Sequence, residues 1–318
     1  MNTSIKWGIL GPGHIANQFA EAMQYCENST IRAVASTSKK RAETFAQKHR
    51  IPYAYDDYAE LLRDQEIDAI YIATINTTHF PLIQQCVAAH KPVLCEKPCV
   101  VTEQEVMELQ KLSEQNNVLI MEGMWTRFLP AVPVIKDWMH GGKIGSIRNI
   151  NMTFSFQAHK TQERLYSKEL LGGGLFDVGV YCIAYALQLL ESEPVELQTM
   201  VQVADSGVDE FTTLTMRFPE DILVNCQFGI SVVMEHEAYI YGEKGKIYIP
   251  DFWCKSNCYC YDNTGNLIEA YKGDSDHGFK YEITHFNNLI RNKEIQSDLM
   301  PLESTRKCAK IFDQVRCY

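Results

Sequence analysis

Short apolar segments alternate with helical segments over residues 5–120, and this alternation restricts the fold more than any other feature of the sequence. In chain order the apolar segments read IKWGIL, IRAVAS, IDAIYIAT, PVLCE and NVLIM. Strands that alternate with helices of about 10–15 residues indicate βαβ units, in which helices cover both faces of a parallel sheet. Residues 1–121 are therefore predicted to form a doubly wound α/β domain.

The second half of the chain follows a different pattern, because apolar and polar residues alternate with a period of two. Met152, Phe154 and Phe156 alternate with polar residues, and ILVNCQFGI at 222–230 does the same. This period indicates strands with one packed face, which is typical of an antiparallel sheet. Residues 122–318 are predicted to form a second α+β domain with a mostly antiparallel sheet. A final helix near residues 304–316 fits against either domain.

A glycine motif, Gly11-x-Gly13-x-x-Ala16, lies directly after the first predicted strand and opens the first helix. Glycines let the backbone turn tightly and approach a pyrophosphate, which then binds the unpaired N–H groups of the helix N-terminus. The motif predicts that the first domain is a Rossmann domain that binds a dinucleotide through Gly11, Gly13, His14 and Ile15. A purely structural glycine turn is the alternative.

The end of the second predicted strand bears on the choice between NAD and NADP. An NAD site usually has an Asp or Glu there for the ribose hydroxyls, whereas this chain has STSKKR at residues 36–41. Hydroxyl groups donate to a 2′-phosphate and cations neutralise it, so the segment favours NADP, with NAD as the alternative. The residues predicted to do this are Ser36, Thr37, Ser38, Lys39 and Arg41. The same letters also fit a Ser N-cap followed by a solvated helix face.

Three further residues point to acid–base chemistry. Lys97 ends an apolar strand, where a charge is costly unless it is paired. Asp177 and Tyr181, in LGGGLFDVGVYCIAYALQLL, are spaced to lie one helical turn apart beside an apolar stripe. Hydride transfer from an alcohol requires removal of the hydroxyl proton, and a nearby ammonium lowers the pKa of a phenol.

Tyr181 is accordingly predicted to be the general acid/base, and Lys97 to polarise the reacting oxygen. Asp177 is predicted to position the substrate or Lys97. Each residue also has a structural explanation: a lysine that reaches solvent, an aspartate that caps a helix, and a tyrosine in the core.

The composition limits the partners and the compartment. A formal net charge of −10 argues against nucleic acid or an anionic membrane surface as a partner. No segment approaches the ~20 apolar residues of a membrane span, and the first strand begins too early for a signal peptide to precede it. Eleven scattered cysteines are typical of free thiols in the cytoplasm. The cluster of Cys254, Cys258 and Cys260 matches no common zinc spacing, so buried thiols and no metal site are expected there.

The same motifs resemble those of a known family. Over essentially its whole length the chain resembles the glucose–fructose oxidoreductase/inositol dehydrogenase/rhizopine-catabolism superfamily, through GILGPGHIA, ATINTTH, HKPVLCEKP, GGGLFDVGVY and YGEKGKIYI. EGMWTRFLP at 122–130, Tyr181, GVDE at 207–210 and FWC at 252–254 are similar to the branch of dimeric dihydrodiol dehydrogenases and NADP-dependent xylose dehydrogenases. Many other branches carry a histidine in place of Tyr181. Members of this branch often carry an arginine near the position of Thr37, so the NADP prediction depends here on Lys39 and Arg41.

The resemblance implies a nucleotide-binding domain followed by an open, mostly antiparallel sheet domain with flanking helices. The flat face of that sheet commonly forms a homodimer in the family. The resemblance also implies that Lys97 and Tyr181 are catalytic and that Asp177 assists them. Glu96 and Pro98 are expected to shape the nicotinamide pocket, where a cis Lys97–Pro98 bond is compatible with the strand-end turn.

The resemblance implies further contacts with cofactor and substrate. Thr74, Asn76 and His79 are expected along the cofactor; the alternative is a loop in which Thr77 or Thr78 caps the next helix. The candidates for the substrate site are Trp125, Arg127, Phe154, Phe156 and Arg164. Their aromatic members fit a packed core equally well.

The first interpretation is thus an NADP-dependent oxidoreductase that acts on a polyol, a sugar or a cyclic trans-diol. An NAD-linked inositol or sugar dehydrogenase of the same fold is a second interpretation. A non-catalytic protein that only senses a dinucleotide is a third, since fold alone does not fix function. A sensor does not need Lys97, Asp177 and Tyr181 together, which favours an enzyme.

Overall fold

The computed structural model describes residues 4–274 and 276–316, which divide into two compact units. The first unit extends to Trp125 and also includes His277–Arg306. The second comprises Thr126–Asp276 and the chain from Lys307 onward.

The first unit contains a parallel sheet of six strands in the order β3-β2-β1-β4-β5-β6. Its strands are β1 (Ile5–Leu10), β2 (Ser29–Ala35), β3 (Tyr53–Tyr55), β4 (Ala69–Ile72), β5 (Val93–Glu96) and β6 (Ile120–Gly123). Its helices are α1 (His14–Ala22), α2 (Lys39–His49), α3 (Tyr58–Arg63), α4 (His79–Ala88), α5 (Glu103–Asn116) and, later in the chain, α9 (Phe279–Asn292).

Burial explains why the central strands read as continuous apolar runs. Every residue of β4, β5 and β6 is buried, as expected where helices cover both faces of a parallel sheet. Phe19 of α1 stacks on Tyr71 of β4 with ring centroids 3.8 Å apart. The indole N–H of Trp7 donates to Asn287 Oδ1 at 3.1 Å, which ties β1 to α9 through a buried hydrogen bond.

The second unit contains an eight-stranded sheet in the order β14-β13-β12-β11-β7-β10-β9-β8, in which β7 and β10 form the one parallel pair. Its strands are β7 (Ile147–Ser155), β8 (Glu196–Val203), β9 (Asp209–Phe218), β10 (Ile222–Gly229), β11 (Glu237–Gly242), β12 (Gly245–Pro250), β13 (Asn257–Asp262) and β14 (Leu267–Lys272). Its helices are α6 (Ala131–His140), α7 (Glu163–Tyr166) and α8 (Val180–Leu190), and α10 (Leu302–Val315) begins in the first unit and ends in the second.

The predicted fold class is confirmed: a parallel, doubly wound sheet is followed by a mostly antiparallel sheet with flanking helices. The period-2 pattern marks a strand with one packed face, as predicted, since Val224, Cys226 and Phe228 of β10 are fully buried and alternate with more exposed residues. Helix α8 differs from the prediction, because Val180–Leu189 are all buried and no single apolar stripe is left. A helix that is apolar on all sides is buried on all sides.

Three further observations concern the cysteines, the possible metal ligands and the helices of the described residues. The cysteines within residues 4–274 and 276–316 are all free, and Cys258 and Cys260 are fully buried. These residues contain no group of three or more His, Cys, Asp or Glu that could hold a metal ion. In the same part of the chain, no helix is both long and apolar enough to cross a membrane.

Candidate active site

The glycine loop joins β1 to α1 in a conformation that requires glycine. Gly11 has a φ of +94°, and a Cβ there would lie 2.8 Å from the carbonyl oxygen of Ala73. Gly13 occupies the N-cap position of α1, whose first turn contains no acidic residue and receives no side-chain cap. The N–H groups of this turn, which begins at His14 and Ile15, are thus suited to a phosphate. Ala16 is fully buried, so a small residue lets α1 pack closely on the sheet.

The segment after β2 presents hydroxyls and cations around a second helix N-terminus. Ser36 is buried, and its Oγ accepts the N–H of Ser38 at 3.2 Å. Ser38 occupies the N-cap position of α2, but its side chain makes no capping hydrogen bond. Thr37, Lys39 and Arg41 are exposed. A solvated helix start with an uncapped first turn and three cations, Lys39, Lys40 and Arg41, fits an anionic group.

The loop after β4 connects the cofactor candidates to the Lys97 loop. The Thr78 hydroxyl lies 2.7 Å from Thr74 Oγ1 and donates to the carbonyl of Ile75 at 2.8 Å, and it does not cap α4. Asn76 begins a short 3-10 turn and is half-buried. His79 is buried, and its Nδ1 lies 2.9 Å from the carbonyl oxygen of Pro98, to which it donates. Burial lowers the pKa of His79, which keeps the ring neutral.

Glu96 anchors the loop that carries Lys97. Its side chain is buried, one oxygen accepts the hydroxyl of Tyr71, and the other accepts the N–H of Lys97 at 3.3 Å. The Lys97–Pro98 bond is cis, as the family resemblance allowed. Burial raises the pKa of Glu96 to about 7, although the hydrogen bond from Tyr71 and the charge of Lys97 lower it. Lys97 itself is half-buried at the end of the strand.

Two buried glutamates near this loop were missed by the sequence reasoning. Glu122 of β6 accepts the N–H of Cys99 and the hydroxyl of Thr305, each at 2.9 Å, and so fixes the chain just after Pro98. Glu282 of α9 is fully buried, and neither of its carboxyl oxygens has a hydrogen-bond partner among the described residues. Burial and, secondarily, the charge of Glu96 raise the pKa of Glu282 well above its ordinary value. A glutamate inside an otherwise apolar strand, as in VLIMEG, was the available signal for Glu122.

Replacing Glu96 with glutamine should change how stability depends on pH. The pKa of Glu96 is raised from 4.5 to about 7 on folding, so its stabilising contribution is complete below pH 4.5 and is lost as pH rises through about 7. Between these limits the free energy of unfolding should fall by about 3 kcal/mol more in the wild type than in Glu96→Gln. Urea unfolding at pH 5 and pH 8 measures the difference, and parallel pH dependence in the two proteins would contradict it.

The predicted helix around Asp177 begins as a π-helical turn, Leu175–Gly179, which leads into α8. The one-turn α-helical spacing between Asp177 and Tyr181 is therefore replaced by a wider turn. The turn packs closely on β10, since a Cβ on Gly174 would lie 2.9 Å from Gly229 Cα and one on Gly179 would lie 2.5 Å from the Phe228 ring. Such π-turns often occur at functional sites.

Asp209, a third missed residue, fills the space beside Gly173 and Gly174. Its carboxylate accepts the N–H of Leu175 at 2.7 Å and the hydroxyl of Thr212 at 3.4 Å. Gly173 has a φ of +107°, and a Cβ there would lie 2.1 Å from Asp209 Oδ1. Burial raises the pKa of Asp209 to about 7, and its hydrogen-bond donors lower it. Gly173 and Gly174 thus leave room for a carboxylate that holds the start of the turn.

Asp177 and Tyr181 differ in their surroundings. Arg164 of α7 donates from Nη1 to Asp177 Oδ1 at 2.9 Å, so one predicted substrate residue contacts the predicted helper. Tyr181 is 6% exposed, and its ring lies 5.5 Å from Phe154 and 5.8 Å from Trp253, centroid to centroid. Phe154 and Trp253 stack at 4.9 Å. Tyr181, Phe154, Trp253 and His236, which also contacts Phe154, form the aromatic side of the site in the second unit.

The remaining substrate candidates have other contacts. Trp125 stacks on Phe279 in the first unit, with ring centroids 4.7 Å apart. Phe156 is half-buried and packs against Ala158, Leu165 and Ile230. The carbonyl of Arg127 accepts the amide of Gln188 at 3.0 Å. Phe156 therefore has a packing explanation, which the sequence left open.

In the first unit the candidates share one edge of the sheet. The glycine loop follows β1, the STSKKR segment follows β2, Thr74 follows β4, and Lys97 follows β5. All four strands are parallel, so these segments lie together at their carboxyl ends. Ligands of open α/β sheets bind at this edge.

Comparison with known sequences places the chain in a family. Residues 5–124 match a family described as an oxidoreductase family with an NAD-binding Rossmann fold. Residues 133–248 match the C-terminal domain of the same group, named GFO/IDH/MocA. The chain belongs to this family. The resemblance stated from the sequence is confirmed.

Two relatives of this chain are both named trans-1,2-dihydrobenzene-1,2-diol dehydrogenase. The relative from Mus musculus is 30% identical over 322 residues, which covers 98% of this chain and 96% of the relative. The one from Danio rerio is 34% identical over 258 residues, covering 80% and 77% respectively.

Solved structures of the GFO/IDH/MocA fold superpose on nearly the whole chain. A 3-ketoreductase from Actinomadura kijaniata in complex with NADP and TDP-benzene has a TM-score of 0.89 at 20% identity, over 98% of this chain and 97% of the other. An oxidoreductase from Agrobacterium radiobacter with NAD⁺, L-tartaric acid and magnesium has a TM-score of 0.81 at 15% identity, over 98% and 95%. At these identities the likeness shows the fold and leaves the choice of dinucleotide open.

Proposed function

We propose that the protein is an NADP-dependent oxidoreductase that transfers a hydride between nicotinamide and a secondary alcohol or carbonyl of a sugar, polyol or cyclic trans-diol. The observation that carries the proposal is the aromatic setting of Tyr181, whose ring contacts Phe154 and Trp253, in a family member that also holds Lys97 at a strand end. Residues 1–121 bind the dinucleotide in this proposal, and residues 122–318 contain the substrate site.

The dinucleotide fits the residues of the first unit. Gly11 turns the chain tightly against Ala73, where a Cβ would clash, and the first turns of α1 and α2 carry no acidic residue. The bound nicotinamide supplies or accepts the hydride. Glu96, Pro98, Thr74, Asn76 and His79 shape or support the part of the pocket at the ends of β4 and β5.

The chain's own groups move the proton and hold the substrate. Tyr181 takes the hydroxyl proton during oxidation and returns it during reduction. The Lys97 ammonium stabilises the negative charge that develops on the reacting oxygen. Asp177, held by Arg164, accepts a hydrogen bond from the substrate and so orients it. The aromatic rings exclude water from the reacting carbon.

The NADP preference is proposed from the segment after β2. Ser36, Thr37 and Ser38 supply hydroxyl or N–H donors, and Lys39 and Arg41 are exposed cations in the first turn of α2. An acidic residue that would repel a 2′-phosphate is missing from residues 36–41. The proposed preference for NADP is based on these five residues.

Removing both cations should weaken NADP binding selectively. In the double variant Lys39→Ala/Arg41→Ala we expect the Kd for NADPH to rise about 10- to 100-fold, because charge-assisted hydrogen bonds to the 2′-phosphate are lost. The Kd for NADH should stay the same, since NADH lacks that phosphate. Fluorescence titration measures both values, with the exposed Arg50→Ala at the end of α2 as a control. Equal weakening of NADPH and NADH would contradict the proposed preference.

The substrate class is proposed from the site and the relatives together. Phe154 and Trp253 offer flat apolar surfaces to a ring, and Tyr181, Asp177 and Arg164 offer polar contacts to its hydroxyls. The relatives are named for a cyclic trans-diol. A cyclic trans-diol therefore comes first within the class. An NAD-linked inositol or sugar dehydrogenase and a dinucleotide sensor remain the alternatives.

The proposed function is tested by one assay. The absorbance of the reduced nicotinamide is followed with NADP or NAD against pentoses, hexoses, inositols and cyclic trans-diols. Turnover of a diol or pentose with NADP is the expected result. Turnover with NAD alone would favour the sugar or inositol dehydrogenase. Cofactor binding without turnover of any compound would favour the sensor.

The outer face of the eight-stranded sheet supports a homodimer as a further part of the proposal. Tyr239 stacks on Tyr248 at 4.7 Å and on Tyr241 at 5.7 Å, and Tyr248 lies 6.2 Å from Tyr259. These tyrosines are half-buried, and tyrosine is enriched at protein interfaces. Light scattering should give twice the mass of one chain, whereas the mass of a single chain at micromolar concentration would exclude the dimer.

The free cysteines support a cytoplasmic location.

A further inference from the structure

A histidine that the proposed mechanism does not use lies beside Tyr181. His236 directly precedes β11, whose first residue, Glu237, pairs with Thr153 of β7. Continued by one residue, this antiparallel register brings His236 opposite Phe154, so both side chains project from the same face of the sheet. Their rings are in contact, with centroids 4.5 Å apart and planes inclined by 46°.

The backbone of β7 sets the tautomer of His236. The Nε2 atom lies 3.1 Å from the carbonyl oxygen of Ser155. A carbonyl oxygen only accepts, so Nε2 carries the hydrogen and the neutral ring keeps a lone pair on Nδ1. The hydrogen bonds of the described residues leave Nδ1 without a donor. The half-buried side chain therefore offers one hydrogen-bond acceptor at the site.

The acceptor of His236 and the phenol of Tyr181 flank the same two aromatic rings. Phe154 contacts both residues, with centroids 4.5 Å from His236 and 5.5 Å from Tyr181. Trp253 lies 6.3 Å from His236 and 5.8 Å from Tyr181. A ring-shaped substrate packed on Phe154 and Trp253 thus lies near two polar groups of the protein.

We propose that His236 determines substrate specificity: its Nδ1 accepts a hydrogen bond from a second hydroxyl, on the carbon adjacent to the one that is oxidised. The site then prefers a vicinal diol on a ring to a ring that carries a single hydroxyl. This inference rests on the proposed function and narrows its substrate class. A site built to bond a hydroxyl discriminates against an analogue that lacks it.

The experiment compares two substrates that differ by one hydroxyl, trans-cyclohexane-1,2-diol and cyclohexanol, with NADP. In the wild type we expect kcat/KM to favour the diol. His236→Phe keeps an aromatic ring on Phe154 but has no acceptor, and it should lower this preference about 10-fold, as the loss of one neutral hydrogen bond predicts. His236→Asn places an amide oxygen near the position of Nδ1 and should retain most of the preference. His159→Phe, at an exposed histidine outside the aromatic group, is the matched control and should behave as the wild type.

The outcomes separate this inference from the proposed function. An unchanged preference in His236→Phe, with turnover intact, overturns the role of His236 and leaves the proposed function standing. Equal losses in His236→Phe and His236→Asn overturn the assignment to Nδ1. If the wild type turns over neither compound, the wider panel of sugars, inositols and diols still decides the proposed function, and calorimetric titration of the NADP-loaded protein decides the inference. Weaker binding of the diol alone in His236→Phe then supports it, and equal Kd values in the two proteins overturn it.

Discussion

Replacing Lys97 with methionine should abolish turnover while NADP binding stays nearly unchanged. Methionine keeps most of the length and volume of the side chain but removes the charge that stabilises the developing alkoxide. Loss of such an electrostatic contact lowers kcat about 10³-fold. Because the phosphate-binding candidates lie after β1 and β2, and not on the Lys97 loop, the Kd for NADPH should change less than about 3-fold.

The matched control for Lys97→Met is Lys111→Met, at an exposed lysine of α5. It makes the same chemical change outside the candidate site and should leave kcat as in the wild type. Steady-state kinetics and NADPH fluorescence titration measure the two effects. A near-normal rate in Lys97→Met would overturn the role of the ammonium, and the loss of NADPH binding together with turnover would show that Lys97 supports the fold of the pocket and not the reaction.

Replacing Tyr181 with phenylalanine should lower kcat about 10²- to 10⁴-fold, the range that a positioned general acid or base contributes. The substitution removes one oxygen and keeps the ring, so the contacts with Phe154 and Trp253 persist. KM for the cofactor and the melting temperature should change little. The loss of activity should therefore appear in kcat, because the acid or base takes part in the chemical step.

Tyr185→Phe is the matched control for Tyr181→Phe, because Tyr185 lies one turn further along α8 and is also buried, with its ring 5.2 Å from Phe252. Each variant loses one phenolic hydroxyl group from the same helix. Turnover should persist in Tyr185→Phe and fail in Tyr181→Phe. Similar rates in both variants would remove Tyr181 from the mechanism.

Some of the candidate site was predictable because its signals are local. The glycine loop is one example: its motif directly follows an apolar strand, and Gly11 indeed needs a positive φ and a close approach to Ala73. The segment after β2 also has a local signal, the absence of an acid from STSKKR, but its contact with NADP stays a prediction. The roles of Lys97, Asp177 and Tyr181 stay predictions until the variants above are measured.

Other parts of the site have no local signal. Asp209 is far from Gly173 and Gly174 in the sequence. Only the packing of the π-helical turn shows that these glycines leave room for the Asp209 carboxylate. Glu122 accepts a hydrogen bond from Cys99, just after the Lys97 loop, because β6 lies beside β5. Glu282 is placed by α9 where burial and the charge of Glu96 raise its pKa. His236 becomes a candidate only through its register opposite Phe154. The short β3 and α3 were missed because three and six residues are too few for a periodic pattern.

The sequence by itself determined the fold class and the kind of cofactor, because hydrophobic period and glycine spacing report local backbone geometry. The geometry of a strand repeats every two residues and that of an α-helix every 3.6 residues. The matching apolar pattern can therefore be recognised in the sequence without knowledge of the tertiary structure. The tertiary structure alone decided which carboxylates are buried, what holds Asp177, and which rings surround Tyr181. Those properties depend on contacts between residues tens of positions apart, whose burial and register exist only after the strands have paired.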